Sequence, residues 1–173
     1  MCNIFIITKQ TKLKLNFQTR MKVNTMEDQT LTKCFTYFRM VGIFDPDTIS
    51  QMLELEPEDS SKIGDIGITG IKFESADWNY GYCYDYDVDV DEQMRKTIAP
   101  LMSKIDILKK IKKSYDVDFY LEVVPTVVYG ESTPCLAPSL EVMKFCCDTQ
   151  TKLDIDLYVD IPDSIYANIK SNW

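Results

Sequence analysis

Trp78-Asn79-Tyr80-Gly81-Tyr82-Cys83-Tyr84-Asp85-Tyr86-Asp87-Val88-Asp89-Val90-Asp91 is the most regular window in the chain. Its even positions carry Trp78, Tyr80, Tyr82, Tyr84, Tyr86, Val88 and Val90. Its odd positions carry Asn79, Gly81, Cys83, Asp85, Asp87, Asp89 and Asp91. Successive side chains of an extended strand point to opposite faces, so the window reads as an aromatic face backed by an acidic one. At about 3.3 Å per residue the whole window would reach roughly 45 Å, too long for a domain of this size. The alternation must therefore break, at Gly81 or near Asp87. The acidic end suits a helix entrance: Asp89 with Glu92 three residues on has the capping-box spacing, and acids belong at the positive end of a helix dipole.

Downstream, Met94, Ile98, Leu101, Ile105, Leu108 and Ile111 mark one apolar helical face over residues 91–114, with Pro100 kinking or dividing it and Ser103 placed to cap the second half. Residues 117–124 alternate Val117, Phe119, Leu121 and Val123 against Asp118, Tyr120 and Glu122. A loop over 125–139 holds Pro125, Gly130, Pro134 and Pro138, and residues 139–149 return to helical spacing. In residues 152–161 the alternation sends Leu153, Ile155, Leu157, Val159 and Ile161 inward and Asp154, Asp156, Tyr158 and Asp160 outward. Upstream, Cys34 to Val41 reads as a first strand. Asp45-Pro46 opens a short helix through Ile49, Met52 and Leu53 that ends at Pro57, residues 58–70 are loop, and a strand resumes at Ile71.

These elements predict an α+β domain, a mainly antiparallel sheet with helices packed on one face, in the order β-α-β-α-β-α-β. The domain spans 31–162. Residues 1–30 read as a flexible extension, or as a misassigned start with initiation at Met21 or Met26, and 163–173 as a short C-terminal helix or tail capped by Asp163. Residues 1–25 carry five basic residues and no acid, so without them the net charge of -8 would be -13.

The order and wording of several segments carry a resemblance. Phe35-Thr36-Tyr37-Phe38-Arg39-Met40-Val41-Gly42 and the helix from Asp45 to Pro57 resemble the opening of the bacterial family known as domain of unknown function 4279. Lys62-Ile63-Gly64-Asp65, Trp78, Pro138-Ser139-Leu140 and Leu153-Asp154-Ile155-Asp156-Leu157-Tyr158 are similar to its later landmarks, over about residues 34–161. The resemblance implies an α+β fold and a bacterial or phage-related origin, and supplies no catalytic residue.

Composition narrows function further. At 173 residues, with 45% hydrophobic and 12% aromatic content, the chain suits one folded domain. Its acidity argues against nucleic-acid binding and fits a basic protein partner or a bound cation better. The chain has no histidine, which removes Ser-His-Asp and Cys-His catalysis and the commonest zinc ligand. Six cysteines without a Cys-x-x-Cys pair read as reduced, packed thiols of a cytoplasmic protein with no membrane segment.

Asp85, Asp87, Asp89 and Asp91 superficially suggest a calcium loop. An EF-hand needs Gly at its sixth position and Glu at its twelfth, where a start at Asp85 gives Val90 and Lys96, so no metal or cofactor is expected. The expected function is non-enzymatic protein binding. Asp118, Tyr120, Glu122, Asp154, Asp156, Tyr158 and Asp160, with Asp85 and Asp87, would form an acidic Tyr/Asp surface. Such a surface suits an inhibitor of the immunity or anti-defence type that masks a basic partner. The alternative is a nucleotide or sugar stacked on Trp78, Tyr80, Tyr82 and Tyr84. A carboxylate- or magnesium-dependent hydrolase ranks below both.

Overall fold

The computed structural model describes residues 31–85 and 89–162, Asp85 by its backbone alone. The central strand is β1 (Lys33–Ile43), and it pairs antiparallel with β3 (Ala76–Asp85) on one side and β4 (Asp116–Val128) on the other. Beyond β3 lies the short β2 (Asp59–Ser61), also antiparallel. Beyond β4 lie β5 (Thr151–Ile155) and, further along the same side, β6 (Tyr158–Asp160), both parallel to β4. The helices are α1 (Pro46–Leu53), α2 (Val90–Ile98), α3 (Ile105–Ser114) and α4 (Leu140–Thr149).

One sheet face meets the four described helices. Cys34, Phe38, Met40, Trp78, Phe119, Leu121 and Val123 pack in a single cluster with Ile49 and Leu53 of α1, Met94 and Ile98 of α2, Leu108 and Ile111 of α3, and Val142 and Phe145 of α4. Burying each such side chain contributes about 1.5–3 kcal/mol, so this layer supplies most of the driving force. Trp78 is wholly enclosed, and its indole N–H donates to Ser50 Oγ of α1 at 3.0 Å.

Gly81 decides the course of β3. Phe38 pairs with Tyr80 but Thr36 pairs with Cys83, so two steps along β1 oppose three along β3. The extra residue is a bulge, with Gly81 at φ +73°. Thr97 of α2 lies against it: Thr97 Oγ1 donates to Gly81 O at 2.9 Å, and a Cβ on Gly81 would sit 2.8 Å from Thr97 O. The bulge reverses the strand's facing. Trp78 and Tyr80 lie on the helix side, whereas Tyr82 and Tyr84 turn to the opposite face and meet Phe35.

Several expectations need correction. The sheet is mixed, and the order is not a simple β-α repeat: β2 and β3 follow one another, as do β5 and β6. The strand expected from Ile71 starts at Ala76, since residues 62–75 form a small internally bonded loop. Helix α1 ends at Leu53 through Glu54 in the left-handed region, before Pro57. Pro100 does divide the long helix, through a 3-10 segment at Ala99–Lys104, but Ser103 caps nothing because α3 starts without a side-chain cap. The Asp89 cap is formed, with its carboxylate accepting from Glu92 N at 3.0 Å.

Strand β4 continues through Pro125 to Val128, where a loop was expected. Val123 O accepts from Asp156 N at 2.9 Å, so Pro125, two residues on, also turns its backbone to the β5–β6 side. Its missing N–H falls where that strand is interrupted, and the expected single strand over 152–161 becomes β5 and β6. Leu153, Ile155, Leu157 and Val159, expected inward, are 38%, 40%, 46% and 54% exposed, because this edge runs beyond the helices' cover. The readings for 1–30 and 163–173 lie outside the described residues.

Gly81→Ala is expected to lower unfolding free energy by about 2–5 kcal/mol, combining left-handed strain with the clash against Thr97. Gly70→Ala, at φ +73° with open space around it, carries the strain alone, about 1–2 kcal/mol. Urea denaturation of the two variants separates the terms.

Candidate functional site

The face opposite the helices carries the polar residues. Rows across it follow from the register: Asp154–Glu122–Tyr37, then Lys152–Tyr120–Arg39–Asn79, then Asp118–Val41–Asp77. This face has two parts with different chemistry.

At its centre, Arg39 is surrounded by acids. Its Nε donates to Asp77 Oδ2 at 2.9 Å, its Nη2 bonds the same oxygen, and its Nη1 lies 3.6 Å from Glu122 Oε1. Burial alone would lower the Arg39 pKa, but the hydrogen bond and charge of Asp77, with Tyr37 and Glu122, more than offset it and hold the guanidinium charged. Glu122 is only 2% exposed, and burial pushes its carboxyl up to about 7. Arg39 opposes the rise, while the charges of Asp154 and Asp77 add to it. Burial and then Glu122 also push the Tyr37 hydroxyl well above its ordinary range. Among the described residues, Asp77 Oδ1, Asn79 Oδ1 and Glu122 Oε2 are buried and accept no hydrogen bond. One cation thus serves several acceptors, and its pull on Glu122 does not offset the effect of burial. Tyr82 closes over this centre, its ring edge-on to Phe35 at 5.1 Å and to Tyr37 at 5.5 Å.

The second part lies along β4, β5 and β6. Asp118 is matched: Lys112 and Lys152 bond its two oxygens at 3.1 and 2.8 Å, and they hold its carboxyl below the usual range. Lys152 also lies over the Tyr120 ring, 5.2 Å from its centre. Asp156 accepts from the Tyr158 hydroxyl. Asp154 and Asp160 are exposed, and among the described residues neither has an ion pair. Register puts Tyr158 level with Thr126 and Asp160 level with Val128, on the same face as Tyr120.

The expected partner-binding residues therefore separate. Tyr120, Asp154, Asp156, Tyr158 and Asp160 are brought together along one end of the face. Asp118 and Glu122 share that face but are already neutralised by lysines and by Arg39. The Asp85 backbone lies level with Cys34 at the other side of β1, and Asp87 lies outside the described residues. Trp78, Tyr80, Tyr82 and Tyr84 do not form one stacking row, since the Gly81 bulge sends two to each side and Trp78 is sealed in the core. Arg39, Asp77, Asn79 and Tyr37 were not singled out in the sequence. The available signal was Arg39 itself, a charge in the middle of a largely apolar and aromatic strand.

Other chemistry is limited. Burial pushes the Cys34 and Cys146 thiols up to about 11, so neither is a thiolate near neutrality. No three acidic or cysteine side chains among the described residues gather as metal ligands, and no described helix is long and apolar enough to cross a membrane.

Residues 32–160 match the family model described as Domain of unknown function (DUF4279), and the chain belongs to that family. Neither the curated proteins nor the solved structures gave a match.

Two outcomes test the central cluster. Folding holds the Glu122 proton where the unfolded chain, with its ordinary value of 4.5, has lost it. This contribution to stability is complete below that value and is lost as pH rises through about 7. Glu122→Gln cannot ionise, so urea midpoints are expected to shift in its favour relative to the native chain by about 1–3 kcal/mol across that window. A constant difference would assign Glu122 an ordinary pKa. Arg39→Met leaves Asp77 and Glu122 without their cation and is expected to lower stability at neutral pH by about 3–5 kcal/mol.

Proposed function

We propose that this domain is a non-enzymatic binding module whose outer sheet face takes a basic protein partner. One observation carries the reading. On a face that the helices leave uncovered, Asp118, Asp77 and Glu122 are answered by Lys112, Lys152 and Arg39, whereas Asp154 and Asp160 have no cation among the described residues. Asp116, at the far end of β4 on the same face, is likewise exposed without an ion pair among the described residues, but it is at the β5–β6 end that two unmatched acids stand beside tyrosines, which supports recognition of a complementary surface there. Tyr120 and Tyr158 beside these acids add contact area at low entropy cost. Net charge of -8 extends the attraction and speeds encounter with a basic molecule. An acidic mask for a basic protein, as an immunity or anti-defence inhibitor would present, is the role that fits.

The hydrolase alternative has less support. Glu122 has the raised pKa of a general acid, but it lies sealed beneath the face and is engaged by Arg39. The stacking alternative has its aromatics divided: Tyr80 stacks on the buried Trp78 on the helix side, and Tyr82 and Tyr84 contact Phe35 on the other.

Affinity capture with the tagged full chain from its native host tests the proposal. A basic protein is expected to be retained at low salt, to elute as salt rises, and to be lost from the Asp154→Lys/Asp156→Lys double variant. Retention of a nucleotide instead, or capture indifferent to both substitutions, would overturn it.

A further inference from the structure

Among the described residues the sheet ends at β5, with no strand paired beyond it. Edge strands commonly carry Pro, several lysines, a bulge or a covering element, because their free N–H and C=O groups template pairing with another chain. Between Thr151 and Ile161 there is no proline, and the single lysine, Lys152, is drawn to Asp118. Asp156 N donates to Val123 O, so by alternation Lys152, Asp154 and Asp156 turn their backbones toward β4. Leu153 and Ile155 turn theirs to the free edge.

The side chains along this edge differ by face. Leu153 and Ile155 lie level with Leu121 and Val123 on the helix side, yet remain exposed, and Leu157 and Val159 continue the exposed apolar series. Asp154 lies level with Glu122 on the outer side, with Asp156 and Asp160 further along. A strand laid beside β5 would meet apolar groups on one face and carboxylates on the other.

We propose that the partner is bound by strand addition to the β5–β6 edge, through a segment that alternates apolar residues with Lys or Arg. This rests on the basic-partner reading above and specifies how that partner is held. Backbone hydrogen bonds from Leu153 and Ile155 supply affinity. Apolar side chains of the added strand cover Leu153, Ile155 and Val159, and its basic side chains face Asp154 and Asp160. The exposed apolar edge and the unmatched acids then have one explanation, because both are satisfied by the same strand.

The probe is a synthetic peptide alternating valine with lysine, measured by titration against the full chain. Three controls accompany it: a peptide of the same composition with the lysines in one block, and two alternating peptides N-methylated on either all valines or all lysines. Strand addition predicts that the alternating peptide binds, that the blocked one is at least about tenfold weaker, and that only one of the two methylated sets abolishes binding. Ile155→Pro, which removes an outward N–H without touching the bonds to β4, is expected to weaken binding similarly while leaving the unfolding midpoint close to native. Equal binding of all four peptides would overturn strand addition and leave the acidic face as an attractor by charge alone. No peptide binding, with the native basic protein still captured through Asp154 and Asp156, would overturn it in the same way. Absence of both would remove the basic-partner reading as well.

Discussion

The close approach of Thr97 O to Gly81 sets the facing of half the sheet. No side chain fits between helix α2 and strand β3 at this point, and the left-handed backbone of Gly81 admits the extra residue that reverses the strand. Before the bulge, Trp78 and Tyr80 contribute to the core beneath α1. Beyond it, Tyr82 packs on Phe35 and Tyr37 of the opposite face. A single regular strand would have sent all four aromatics one way, leaving either the core or the outer face without its rings. Thr97 also binds Thr36 Oγ1 at 2.8 Å, tying α2 to β1 and β3 together.

With its aromatic end closed by Tyr82, the outer face concentrates charge toward β4 and β5. Arg39 holds Asp77 and engages Glu122, and the neighbouring row holds Asp118 between two lysines. A buried cluster of this kind adds little net stability compared with apolar packing, since desolvation offsets much of the attraction. Its effect is to fix the centre of the face, while Asp154 and Asp160 of β5 and β6 stay without cations among the described residues.

Much of the architecture was legible in the sequence because local signals agreed with it. Alternation over Val117–Val123 placed the core face of β4, the apolar spacing of Met94, Ile98, Leu108 and Ile111 gave the buried side of α2 and α3, and Asp89 formed its cap. Gly81 and Pro100 were recognisable as breaks. What could not be read was tertiary. Alternation in 152–160 told which residues share a face but not that the helices stop short of it, so Leu153 and Ile155 were expected inside. Pro125 looked like a loop residue because its missing donor is tolerated only where a neighbouring strand is interrupted. The Arg39 cluster joins β1, β3 and β4, and the Arg39–Glu122 contact alone spans 83 positions (39 to 122), beyond the reach of any local pattern.

The proposed site of recognition is the β5–β6 end of the outer face. Hydrogen–deuterium exchange of the full chain, with and without a captured basic partner, addresses that claim directly. Slowed exchange is expected to concentrate in residues 151–160, with the backbone amides of Leu153 and Ile155 foremost, while the 62–75 loop and the exposed turns of α3 are unchanged. Protection confined to that loop or to the helical side, with β5 and β6 exchanging as freely as before, would contradict it.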